Sequence, residues 1–178
     1  MPDTERLLRR VARGDLAAFD ELYRRTAPAV AVRLRRRCPD DGLVAEVLQD
    51  TDLTVWRAAG SFADLRPRGA GAAGWLWTIA ARRLVDALRR QARRPESPAE
   101  KVPAASVPAA EDEALAGTVG GELGAALARL APELRAVLQA MVLDGLSVRE
   151  TSVLLGLPEG TVKSRARRAR NAMREALS

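Results

Sequence analysis

The segment from Ser147 to Arg174, SVRETSVLLGLPEGTVKSRARRARNAMR, leaves the chain little freedom in local structure. Ser147 followed by Glu150 is a capping box. The serine hydroxyl takes the backbone N–H three residues on, and the glutamate reaches back to the serine N–H. A helix therefore starts at this point. Gly156 closes it, because the residue after a helix often enters left-handed backbone, which costs glycine nothing. Leu157 and Pro158 open a last helix that runs to about Leu177. On it Val162, Ala166, Ala169 and Met173 fall at helical spacing and form a core face. Thr161, Lys163, Ser164, Arg165, Arg167, Arg168 and Arg170 occupy the remaining faces.

Two short helices joined by a tight turn, the second of them basic, have the layout of a helix-turn-helix, whose second helix enters the DNA major groove. Residues 159–178 carry six basic side chains (Lys163, Arg165, Arg167, Arg168, Arg170, Arg174) against two acidic ones (Glu159, Glu175). The whole chain has a net charge of +6 and a sequence pI of about 10.8, which points to a polyanionic partner. Phosphate contacts supply affinity, while side chains that reach base edges supply sequence choice. Lys163, Ser164, Arg165 and Arg168, near the start of the last helix, are best placed to reach into a groove.

The other segments are also helical. Ala, Leu and Arg dominate, β-branched runs are short and aromatics are only 3%, so the expected class is all-α with aliphatic cores. Thr4–Val11 is a short amphipathic helix that ends at Gly14, and Asp15 caps the next. Leu16, Phe19, Leu22 and Tyr23 form the stripe of that second helix, and Pro28 either kinks it or starts a new turn. The run Arg33, Arg35, Arg36, Arg37 is either a solvated face or a polyanion contact. Either Asp40 or Asp41 caps a helix over Leu43–Arg57, whose core positions are Val44, Val47, Leu48, Val55 and Trp56. Its other face carries Glu46, Gln49, Asp50 and Asp52. Periodicity alone does not decide whether this acidic face is plain surface or a docking face for a basic partner.

Glycines and Pro67 forbid a stable helix through residues 58–74, which reads as a long loop. Trp75–Gln91 is a strong helix with apolar Trp75, Leu76, Ile79, Leu84 and Leu88, and with basic Arg82, Arg83, Arg89 and Arg90. Prolines 95, 98, 103 and 108 among Ala, Ser and Glu then mark an extended linker. Beyond it come a helix around Glu111–Leu130 and one from Pro132 through Leu143, with Leu134, Val137, Leu138 and Met141 as its core face. The architecture expected is two small helical domains, 1–92 and 113–178, joined by a flexible linker over 93–112.

Composition also excludes several kinds of chemistry. With one cysteine, Cys38, and no histidine, neither an internal disulfide nor the usual zinc sites nor a histidine-dependent catalytic triad can form. Cys38 reads as a small buried apolar residue. No metal, cofactor or catalytic group is expected. The N-terminus lacks the apolar core of a signal peptide, and no stretch approaches the roughly 20 apolar residues of a membrane span. A cytoplasmic protein with no membrane contact of its own is expected.

The stretch from Leu130 to Arg170, with GTVKSR (Gly160–Arg165) and Arg168 as its most specific part, resembles region 4 of bacterial sigma factors. VAEVLQDTDLTVW (Val44–Trp56) resembles the sigma region 2.2 helix, and WLWTIAARRLVDALRR (Trp75–Arg90) resembles the region 2.3–2.4 helix. Region 2, a short linker and region 4, with neither region 1.1 nor region 3, resembles the layout of extracytoplasmic function (ECF) sigma factors. The resemblance covers about 1–92 and 115–178.

The resemblance implies roles for these residues. Domain 1–92 would bind core RNA polymerase and the −10 promoter element, and domain 113–178 would bind the −35 element. Thr161, Lys163, Ser164, Arg165 and Arg168 would contact −35 DNA. Glu46, Gln49 and Asp50 would dock on the polymerase core. The segment Ser61–Gly74 would be the promoter-melting loop, with Arg66, Arg68, Arg82, Arg83 and Arg89 on phosphates. Trp75 is expected in the core, and Trp77 is the exposed candidate for stacking on bases. Two positions depart from the family pattern: Asp52 stands where an aromatic or aliphatic residue is usual, and Ile79, Ala80, Ala81, Arg82 replaces Ile-Ala-Arg-Asn. Asp86 matches its counterpart and is expected to hold local structure.

The resulting expectation is a non-enzymatic ECF-type sigma factor that binds core polymerase, recognises both promoter elements and helps melt DNA. The family also implies an anti-sigma factor as a partner. The alternative is a helix-turn-helix regulator with a helical sensor domain that acts without being a polymerase subunit.

Overall fold

A computed structural model describes residues 2–62, 71–93 and 121–178. Arg66, Arg68, most of the expected linker and the first half of the helix expected over Glu111–Leu130 lie outside the described residues. Among the described residues every regular element is helical. Contacts divide the chain into two units, Met1–Arg93 and Arg94–Ser178.

In the first unit α1 spans Pro2–Val11, α2 Leu16–Arg37, α3 Asp41–Ala58 and α4 Ala72–Ala92, with a 3-10 turn at Ala59–Ser61. Acidic residues in the first turn of α1 and basic ones in its last complement the helix dipole. Gly14, at φ 82°, turns the chain out of α1. The Asp15 side chain then caps α2 by accepting from the Ala18 N–H at 3.0 Å. That hydrogen bond, with Arg10 beside it, lowers the Asp15 pKa. α2 continues through Pro28, which is exposed and neither starts a new turn nor ends the helix. Asp40 caps α3 through the Leu43 N–H at 3.0 Å, while Asp41 pairs with Arg35 at 2.8 Å.

The core of this unit joins Leu7, Leu8 and Val11 of α1 to Leu22 of α2, Val55 of α3, and Trp75 and Leu76 of α4. Two edge-to-face ring pairs tie it together: Phe62–Trp75 at 5.3 Å and Phe19–Trp56 at 5.2 Å. Cys38 is buried at the end of α2, and burial pushes its thiol pKa up. α4 packs against α1, α2 and α3 at once.

In the second unit α5 spans Gly121–Arg129, α6 Pro132–Leu138, α7 Val148–Leu155 and α8 Glu159–Ala176. The helix expected from Pro132 through Leu143 begins with Pro132 in its first turn, then widens into a π-helical segment at Gln139–Leu143. Asp144 donates its N–H to the Gln139 carbonyl, and Leu146 donates to Ala140, both at 3.0 Å. The expected core position Val137 is buried, and Leu134, Leu138 and Met141 are half-buried. The apolar pattern did not reveal the burial of Arg135, Gln139, Asp144 and Thr151. Arg135 reaches back to the end of α5, donating to the Leu127, Ala128 and Leu130 carbonyls at 2.9, 2.7 and 2.8 Å. One guanidinium thus satisfies carbonyls that a helix end leaves without intrahelical partners, and places positive charge at the negative end of the dipole.

Candidate nucleic-acid interface

The α7–turn–α8 unit is built as its local sequence dictates. Ser147 and Glu150 form the reciprocal capping box, with bonds of 3.2 Å to the Glu150 N–H and 2.7 Å from the Ser147 N–H. Gly156 sits at φ 63°, ψ 30° and ends α7. Ser152 then closes the turn from both sides: its carbonyl takes the Leu157 N–H at 3.0 Å, and its hydroxyl donates to the Leu157 carbonyl. A turn held at both ends fixes the direction in which α8 leaves it.

Val162, Ala166, Ala169 and Met173 are buried, so α8 seats its apolar stripe as its spacing requires. Val162 and Ala166 pack with Val137 and Leu155, and Ala169 and Met173 pack with Leu127 and Leu130. This fixes the rotation of the helix and sends the basic residues outward. Lys163, Ser164 and Arg168 are exposed, and Thr161 and Arg165 are half-buried at the edge of the face. The Ser164 hydroxyl donates to the Thr161 carbonyl at 3.0 Å. Among the described residues no carboxylate pairs with Lys163, Arg165, Arg167 or Arg168. Like charges three or four positions apart on one helix cost a few tenths of a kcal/mol per pair, which a polyanion would relieve.

The basic face of α4 is organised differently. Asp86 lies between Arg83 at 3.6 Å and Arg89 at 3.5 Å, an ion pair on each side. It therefore holds local structure, as its sign suggests. Arg82 is exposed. Trp77 is not the exposed stacking residue expected from its position two residues after Trp75. It is only 3% exposed, and the Arg33 guanidinium lies 4.0 Å from its ring centroid. Four consecutive residues, Trp75, Leu76, Trp77 and Thr78, are buried, because α4 is covered by three helices where a single apolar face would need only one. No face of this ring is open to a base. Much of the basic run of α2 is engaged within the chain itself: Arg33 lies over Trp77, Arg35 pairs with Asp41 at the surface, and Arg37 is buried.

On α3, Glu46 and Gln49 are exposed and Asp50 is half-buried. Arg90 of α4 crosses to this face, pairing with Glu46 at 2.9 Å and Asp50 at 3.4 Å. Leu53, absent from the expected core and from the expected docking face, is 54% exposed. It lies three, four and seven positions after Asp50, Gln49 and Glu46, so it extends the same face. The i, i+4, i+7 spacing carried that signal. Burial pushes the Asp52 carboxyl up to about 6. An aromatic or aliphatic residue at that position would not pay this desolvation.

Among the described residues no His, Cys, Asp and Glu cluster is able to hold a metal, and no helix is long and apolar enough to cross a membrane. The arrangement presents one open cationic helix on a helix-turn-helix, one internally paired cationic helix, and one acidic helical face with an apolar end.

Comparison with known proteins agrees with this arrangement. Residues 22–94 match the family model for Sigma-70 region 2, and residues 120–173 match that for Sigma-70, region 4. The chain is 39% identical over 171 residues to the ECF RNA polymerase sigma factor SigM of Mycobacterium tuberculosis, covering 94% of this chain and 81% of that protein. It is 35% identical over 170 residues to the ECF RNA polymerase sigma factor RpoE of Cereibacter sphaeroides, covering 92% and 88%. It is 34% identical over 180 residues to the ECF RNA polymerase sigma factor SigK of Mycobacterium bovis, covering 98% and 94%.

Proposed function

Since the chain belongs to the ECF sigma factors of RNA polymerase, we propose that α8 holds the −35 element, α4 faces the −10 element and α3 docks on the polymerase core. As a sigma factor it binds core RNA polymerase, recognises promoter DNA and promotes initiation. The open row Lys163, Arg165 and Arg168 on a helix rotated by its own core contacts is the observation that carries the −35 assignment. Groove entry by that row releases counterions from the phosphates and brings Arg165, at the edge of the face, toward base edges.

The assignment of α3 rests on a different observation. Glu46, Gln49, Asp50 and Leu53 share one helical face in an otherwise basic protein, so a basic partner with an apolar contact would fit it. Arg82, Arg83 and Arg89, with Arg66 and Arg68 outside the described residues, are proposed as phosphate contacts near the melted −10 strand. Trp77 is not among them. With the polymerase as common anchor, each unit binds its element at high effective concentration, so neither has to supply the whole affinity. The polymerase performs the catalysis, the protein works in the cytoplasm, and an anti-sigma factor that covers these surfaces would keep it silent. A regulator acting without polymerase is not favoured, because similarity to sigma factors extends over both units.

Run-off transcription with core polymerase and the full chain tests this. Initiation is expected from promoters that core polymerase alone does not use, and is expected to vanish when Lys163, Arg165 and Arg168 are all changed to Ala. Failure to initiate on every candidate promoter would overturn the reading.

A further inference from the structure

The Arg90 side chain belongs to α4, but its guanidinium lies on α3. One of its amino groups donates to Glu46 Oε1 at 2.9 Å and to Asp50 Oδ2 at 3.4 Å. Glu46 and Asp50 stand one turn apart, at i and i+4, where two unpaired carboxylates would repel each other. A single cation between them removes that repulsion, and here the cation is internal. All three side chains keep substantial contact with solvent, so the bridge is weak enough to exchange for another cation.

We propose that Arg90 is an internal occupant of the polymerase-docking face: it takes the place of a basic side chain of the core enzyme and is displaced when the core docks. The inference rests on the docking role of α3 proposed above. It adds that docking affinity is set by an exchange of cations, in which an intramolecular pair breaks as an intermolecular one forms. The net electrostatic gain is therefore smaller than Glu46 and Asp50 would give if they stood open. Displaced, Arg90 returns its charge to α4, which also carries Arg83 and Arg89.

The test is titration of core polymerase with the full chain at fixed salt, for wild type, Arg90→Ala, Arg90→Lys and the double variant Glu46→Gln, Asp50→Asn, each checked by circular dichroism. Arg90→Ala is expected to tighten core binding about two- to fivefold, the range set by an exposed ion pair. Arg90→Lys should bind like wild type, because it keeps the cation. The double variant should bind core more weakly, and adding Arg90→Ala to it should change nothing further. If Arg90→Ala binds core equally or more weakly while the double variant is impaired, Arg90 is no competitor and the inference fails with the docking role intact. If the double variant binds core as wild type does, the docking role of α3 falls, and this inference with it.

Discussion

The two arginine-rich helices, α4 and α8, look alike as sequences and differ as surfaces. Between Glu159 and Glu175 no acidic residue interrupts α8, and its buried stripe is Val162, Ala166, Ala169 and Met173. Its cations have no carboxylate to turn to among the described residues. α4 carries Asp86 in the middle of its basic run and lies beside the acidic face of α3. Its cations are therefore shared with carboxylates of the same unit. Under the proposed roles, the difference concerns when each helix would be ready for DNA. α8 carries a small intrahelical repulsion that phosphates would relieve. α4 avoids that repulsion through its internal pairs, which would have to exchange before its cations could meet phosphates.

Four substitutions probe the difference between the two helices and the scaffolds that hold them. The largest effect is expected for Arg135→Ala. It strips three carbonyl hydrogen bonds from the end of α5 and loosens the scaffold that rotates α8, at a cost of about 3 kcal/mol in urea unfolding. Arg165→Ala should come next. It is expected to weaken binding to the cognate −35 sequence by about 1–3 kcal/mol while sparing mismatched DNA, as an equilibrium binding series over single-base variants would show. An equal loss on all sequences would reduce Arg165 to a phosphate contact.

Asp52→Asn tests the acidic helix beside α4. Burial pushes the carboxyl up from its ordinary 3.8 to about 6 in the folded state, so the folded state holds the extra proton between those values, and stability falls as pH rises through that window. The substitution should stabilise the protein by about 1 kcal/mol above pH 7, a figure reduced from the full shift because the group is partly exposed. The effect should fade below about pH 3, where both states are protonated; thermal melts across pH would show this. The smallest effect is expected for Asp86→Asn, which frees Arg83 and Arg89. It should raise nonspecific DNA affinity of the free chain by less than about threefold, because exposed pairs are weak.

Features set by neighbours along the chain were legible in the sequence. The capping box, the Gly156 stop, the Asp15 cap and the buried stripe of α8 all depend on residues within a turn or two, and the structure has each of them. Features set across helices were not. Trp77 reads as exposed if α4 has one buried face, and it is buried because three helices surround it. The Arg135 and Arg90 bonds reach other helices, and no spacing rule within one helix announces them. The π segment after α6 was hidden for a similar reason: its apolar pattern is that of an ordinary helix, while the widened turn accompanies buried polar residues such as Gln139 and Asp144. Leu53 is the opposite case. Its helical spacing from Glu46 and Gln49 was readable, and its exposure gives it meaning only once the fold is known.

The most direct test of the contrast is the salt dependence of DNA binding by the full chain without polymerase, measured for wild type, Arg168→Ala and Arg90→Ala. Each phosphate contact contributes about 0.9 to the slope of log K against log salt. Arg168→Ala is expected to lower the slope by about one contact, and Arg90→Ala to leave it unchanged. Equal losses from the two variants would show that α4 already grips DNA in the free protein, so that its cations are not held back by internal pairs.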